Sequence, residues 1–137
     1  MSARRIAHKS IPKVEYKDYL KKAEEFYATM QDCLINERWD STCLEAVHAV
    51  ISVNDALTIW AKGIRCASPR HEDAVVLLQG LTELKGVKEN ASHILRVIKK
   101  KNAVEYDRKN FTRREAEDIA RHVERFMQWV KSILPKV

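Results

Sequence analysis

The sequence predicts an all-α fold, an up-and-down bundle of four to five antiparallel helices, on three observations. Its 137 residues hold only three glycines and three prolines, well under the usual share of about 12% for the two together. Neither residue occurs between Lys13 and Lys62 or between Val87 and Leu134, so two long stretches run without punctuation. Apolar residues recur through both at helical spacing. Sandwiches and barrels need glycine and proline in their many turns, so this composition excludes them. No glycine-rich phosphate loop is present either.

The length allows one domain, expected over residues 13–137 behind a basic N-terminal tail at 1–12. The tail has charge but no apolar segment, so it does not read as a signal peptide. The first helix is expected from Val14 to Asn36. Tyr16, Tyr19, Leu20, Ala23, Phe26, Tyr27, Met30, Cys33 and Leu34 form one face, while Lys17, Lys21, Lys22, Glu24 and Glu25 form the other. The second helix is expected from Asp40 to Lys62, with Asp40 or Ser41 as its N-cap. It is apolar nearly all round and should be central. Its polar residues Glu45, His48, Ser52, Asp55 and Lys62 make one stripe, which faces water, a partner subunit or a site. Ala46, Ala49, Val53 and Ala56 are small enough for close helix approach.

Gly63 should end that helix as a C-cap. Ser68 and Pro69 then open a third helix, as N-cap and first-turn proline, running to about Leu84; Gly80 is a weak point inside it. A fourth helix is expected from Lys88 to Tyr106. On a helical wheel Ala91, Ile94, Leu95 and Ile98 face the core, and Asn102, Glu105 and Tyr106 continue that face with Lys101 at its edge. Thr112 and Glu115 have capping-box spacing. They open the fifth helix, whose face is Ala116, Ile119, Ala120, Val123, Phe126, Met127, Val130 and Leu134.

Charge narrows the function more than composition does. The net +6 lies entirely within residues 96–114, where eight basic residues stand against Glu105 and Asp107. Arg96, Lys100, Lys101, Asn102, Arg108 and Lys109 are therefore the expected contacts to a polyanion such as RNA or a nucleotide. Solvated cations near a helix C-terminus would give the same pattern. The three cysteines, Cys33, Cys43 and Cys66, lack C-x-x-C spacing. They read as free thiols of a reducing cytoplasm. The five histidines have no metal-ligand spacing, so neither metal nor cofactor is expected. No apolar run is long enough for a membrane span.

Two groups of residues stand out. Lys101, Glu105 and Tyr106 with Asn102 converge at one helix end, either as a satisfied structural network or as a polar pocket beside a basic rim. In the pocket, Lys101 would stabilise charge on a phosphate and Glu105 would act as base. Arg65 and His71 are secondary candidates with Asp55, although a histidine near a helix start also packs or bonds locally.

The residues resemble the HEPN domains (higher eukaryotes and prokaryotes nucleotide-binding). The resemblance lies in Glu45-Ala-Val-His-Ala-Val-Ile-Ser-Val-Asn-Asp-Ala-Leu57, in Gly63-Ile-Arg65 followed by His71, and in Lys101-Asn-Ala-Val-Glu-Tyr106. Glu115-Ala116 and Arg125-Phe-Met-Gln-Trp-Val130 extend it, so that it covers the second to fifth helices. It implies a helical bundle that forms a homodimer and serves a minimal nucleotidyltransferase partner or a toxin–antitoxin pair. Active relatives are metal-independent endoribonucleases using R-x4–6-H. Here those positions fall on Lys101 and Glu105, and the chain departs from the motif at both. The expectation is a module binding RNA, a nucleotide or the partner through residues 96–114. The alternative is an endoribonuclease toxin using Lys101 and Glu105 in place of arginine and histidine. Arg65 and His71 fall in the turn before the third helix, outside the motif's place.

Overall fold

A computed structural model describes residues 5–136, and its six α-helices account for most of them. They are α1 (Tyr16–Ile35), α2 (Trp39–Lys62), α3 (Glu72–Gln79), α4 (Val87–Ile98), α5 (Lys101–Tyr106) and α6 (Arg113–Ile133). A 3₁₀ turn at Lys13–Glu15 leads into α1, where one continuous helix was expected from Val14. Helix α2 is the axis: α1 packs along it most extensively, and α3, α4, α5 and α6 all touch it. That place follows from its sequence, because Cys43, Ala46, Ala49, Val50, Val53, Ala56, Leu57 and Ile59 retain no exposed surface. The small residues of α2 therefore serve packing inside one chain. They are not available to a partner subunit.

Helix α1 buries only Tyr16, Ala23, Met30 and Cys33 fully, and its charged face stays in water. Helices α4 and α6 run antiparallel, with His93 against His122 at one level and Gly86 against Trp129 at the next. Their seam buries Ile94 and Val97 with Val123, Phe126 and Val130. Each such side chain contributes roughly 1.5–3 kcal/mol of transfer free energy.

The capping expectations meet mixed outcomes. Gly63 caps α2 in the left-handed region, φ 66°. Thr112 and Glu115 form the full capping box of α6. Arg38, however, precedes α2, and Asp40 lies inside its first turn. The Asp40 carboxylate instead accepts from the Phe111 backbone N–H at 2.7 Å and from Asn110 Nδ2 at 2.6 Å. It thereby anchors the loop between α5 and α6.

The middle of the chain departs furthest from the expected pattern. Ser68 does not cap α3, which starts at Glu72. Its hydroxyl donates to Asp73 Oδ2 at 2.5 Å and so closes a turn over residues 68–73. The helix stops at Gln79, and Gly80 is its terminal residue, not a flaw within it. Gly86 sits at φ 84° before α4, and a Cβ there would come within 3.0 Å of Trp129 Nε1. The predicted fourth helix is two helices. The backbone N–H of Lys100 turns back to Val97, three residues away, and α4 ends.

An unpredicted two-stranded sheet joins the segment expected as a basic tail to the bundle. Strand β1 (His8–Ser10) pairs antiparallel with β2 (Ile64–Cys66), His8 opposite Cys66. Ile6 is buried beside it, and residues 1–4 of the expected tail lie outside the described ones. The Ile11 N–H donates to the Gly63 carbonyl at 2.8 Å, and the Ala67 N–H to that of Ala7 at 2.9 Å. These bonds fix the chain that leads from α2 to His71. None of the described helices is long and apolar enough to cross a membrane.

Candidate functional site

The break at Lys99 and Lys100 resets the helical face, and this decides what α5 presents. A helix continued through Tyr106 would have turned Asn102, Glu105 and Tyr106 inward. In the structure Ala103 and Val104 pack against the core instead. Asn102, Glu105 and Tyr106 are exposed, Tyr106 by 75%. The expected inward polar cluster is thus corrected to a surface one. The apolar pair Ala103 and Val104 gains by burial, and Lys99 and Lys100 gain by staying in water.

Lys101 bonds to Glu105, Nζ to Oε2 at 3.2 Å. That hydrogen bond, foremost, holds the Glu105 carboxyl below the usual carboxylate range, helped by contact with Tyr106 and the charge on His48. Glu105 is therefore ionised at neutral pH and is a weak proton acceptor.

On one side of α5 a cavity of about 200 Å³ opens toward the turn before α3. Arg70, His71 and Glu72 line one wall, Lys99, Lys101 and Asn102 the other, with Ile98 between them. His71, set aside by the motif, is thereby brought to Lys101. Burial lowers the His71 pKa, and the Lys101 charge lowers it further against the opposing pull of Glu105 and Glu72. His48 of α2 acts on both His71 and Glu105. Titratable side chains from three parts of the chain thus share one neighbourhood.

The expected contact residues divide between two places. Lys101 and Asn102 line that cavity, whereas Lys100 and Lys109 line a second of about 150 Å³ with Asn110, Phe111 and Glu115. Arg108 is exposed on the intervening loop. Arg96 lies elsewhere, on the α4–α6 face, where its charge acts on His93 and His122. Arg70 and Lys99 were not singled out from sequence. Nothing local marks Arg70, since only tertiary folding brings it to α5.

Asp55 and Arg65 form a separate, mostly closed group. Burial pushes the Asp55 carboxyl up to about 7, while Arg65 pulls it the other way. The Arg65 guanidinium stands 5.9 Å from the Tyr19 ring centre, and its Nε is buried with no hydrogen-bond partner among the described residues. None of the residues lining the α5 cavity belongs to this group. Cys43 is fully buried. Its thiol is pushed up to about 12 by burial and by Asp40 and Glu115, so it stays protonated. All three cysteines are free.

The family described as HEPN domain matches residues 16–133, from the first residue of α1 to the last of α6. The match takes in the first helix, which the sequence resemblance had left out. No curated protein is a significant match to the chain.

Proposed function

The chain belongs to the HEPN domain family, a family associated with nucleotide or RNA binding and RNase activity, and from that premise we propose that it binds RNA or a nucleotide by its phosphates at the α5 rim. The observation that carries this reading is the cavity that Arg70, Lys99, Lys101 and Asn102 line together from two chain segments. Guanidinium and ammonium groups on opposite walls can contact separate oxygens of one phosphate. Lys100, Arg108 and Lys109 continue the charge along the backbone of a longer ligand.

A salt series on a fluorescent single-stranded RNA tests it. The binding constant should fall steeply with salt, with a log–log slope of about −0.7 for each phosphate contacted. Lys99→Ala and Lys101→Ala should each flatten that slope by about one contact. Binding that ignores salt would overturn the reading.

Two finer features go with it. HEPN domains commonly dimerise, which supports a homodimer here, and light scattering should give twice the 15.9 kDa chain mass. A minimal nucleotidyltransferase is the proposed protein partner, to be tested by co-elution. The endoribonuclease reading with Glu105 as base is disfavoured, because Lys101 holds that carboxylate in its weakly basic form.

A further inference from the structure

His93 and His122 meet between α4 and α6, away from the α5 cavity, which neither of them lines. No spacing along the chain pairs them, since they are 29 residues apart, yet their Nδ1 atoms stand 2.9 Å from each other. Both rings are half-buried. Two imidazole nitrogens so placed share one position between them, which a proton or a metal ion can fill. We propose that the pair is a binding site for a late first-row divalent ion such as Zn²⁺, held by the two Nδ1 atoms and stapling α4 to α6.

The geometry suits such an ion. A zinc–nitrogen bond is about 2.0–2.1 Å, and a tetrahedral ion sets two such nitrogens roughly 3.4 Å apart. The pair needs to open by only about half an ångström. The rings are tilted by 39°, not stacked, so small rotations supply that opening. The far side of His122 is also arranged as a metal-bound histidine requires. Asp118 Oδ2 lies 3.8 Å from His122 Nε2, which favours the proton there and leaves Nδ1 as the ligand. His93 moves its own proton from Nδ1 to Nε2, a change of tautomer with no net proton loss.

The surroundings set the kind of ion and the strength of its binding. Burial, foremost, holds both rings in the neutral form that ligates. Imidazole suits zinc, copper and nickel, whereas magnesium and calcium take oxygen ligands. Glu89 and Asp118 favour a cation at the pair, and Arg96 and Arg125 oppose one. Among the described residues no group of three or more histidine, cysteine or carboxylate side chains is placed to hold a metal. Water therefore completes the coordination, and the ion exchanges readily.

The test titrates the untagged, EDTA-treated chain with zinc chloride at pH 7.5 by calorimetry and follows thermal unfolding. One zinc should bind per chain, and the unfolding midpoint should rise with zinc concentration, while magnesium leaves it unchanged. His93→Ala and His122→Ala should each weaken binding at least about tenfold. Should those variants fold poorly, substitutions outside the pair keep the test open. Asp118→Asn should weaken binding about tenfold, the usual loss for an outer carboxylate. Arg96→Gln should tighten it about threefold by removing an opposing charge, a gain that no packing role predicts. An unfolding midpoint equal in zinc and in EDTA overturns the proposal. Zinc binding undiminished in both histidine variants, or in Asp118→Asn, also overturns it, because the ion then sits elsewhere. The reading of the α5 rim as a phosphate site stands or falls separately.

Discussion

His93 and His122 meet head to head between α4 and α6, whereas His71 lines an open cavity with Lys101. The pair's Nδ1 atoms are 2.9 Å apart and their ring centres 5.2 Å apart, so one nitrogen points almost directly at the other. Asp118 Oδ2 lies 3.8 Å from His122 Nε2. A proton on Nε2 faces that carboxylate, which leaves the His122 Nδ1 lone pair to accept from His93 Nδ1–H. Burial is the main cause lowering all three histidine pKa values. In the seam the neutral form completes a hydrogen bond, while in the cavity the ring lines open space. The same shift therefore serves packing in one place and leaves a ring on an open cavity in the other.

The largest expected effect tests how much the seam carries. Phe126 is fully buried there, with its ring 5.8 Å from Trp129. Phe126→Ala should cost about 3–5 kcal/mol by urea unfolding. His71→Ala should cost under about 1 kcal/mol, because half-exposed residues outside such features have small effects. Comparable losses at the two positions would erase the distinction between closed seam and open cavity.

Asp55 offers the opposite sign of titration in another closed setting. Its folded pKa is raised to about 7, so the folded chain holds a proton that the unfolded chain has lost. Its contribution is present below the ordinary carboxylate pKa and is lost as pH rises toward 7. Asp55→Asn should raise stability at pH 8 by something on the order of 2 kcal/mol and change little at pH 4. Equal effects at the two pH values would mean that packing, not the proton, dominates.

The histidine pair should show an acid limb. Both folded pKa values are lowered, so below about 6.5 the unfolded chain binds protons that the folded one refuses. Stability from this source is full above that pH and falls as pH drops through the folded values. Arg96 and Arg125 steepen the loss by disfavouring charge on both rings, while Glu89 and Asp118 oppose it. His122→Ala should cost about 1–2 kcal/mol at pH 7.5 and flatten the acid limb, without altering RNA affinity. A matching fall in RNA affinity would tie the seam to the site.

These contrasts also explain what could be read beforehand. The helical spacing of α1 and α6 was legible because each follows one uninterrupted apolar stripe, and that of α2 because a single polar stripe marks an otherwise apolar rod. The α4–α5 break was not, since no glycine or proline marks Lys99 or Lys100; the Ala103–Val104 pair decides it by burial. The seam left a trace that went unread. Glu89, His93 and Arg96 repeat the spacing of Asp118, His122 and Arg125, and antiparallel packing brings the two sets together. The lysines were legible as a charge excess, but that excess could not show that Arg70 and His71 complete the cavity wall. Those two depend on a turn closed by Ser68 and Asp73, a tertiary fact that local spacing does not encode.

The smallest expected effect bears on the open side of the comparison. Glu105→Gln removes the charge that holds Lys101, a partly exposed pair spaced i, i+4 whose stability contribution should be only about 0.3–0.5 kcal/mol. Freed of that carboxylate, Lys101 has more attraction left for a phosphate, and Glu105 no longer raises the His71 pKa. RNA affinity should therefore rise about twofold to threefold at low salt, a change worth roughly the same 0.4–0.6 kcal/mol. A loss of affinity instead would mean that Glu105 positions Lys101 rather than merely competing for it, and the cavity would then resemble the seam in depending on a fixed internal bond.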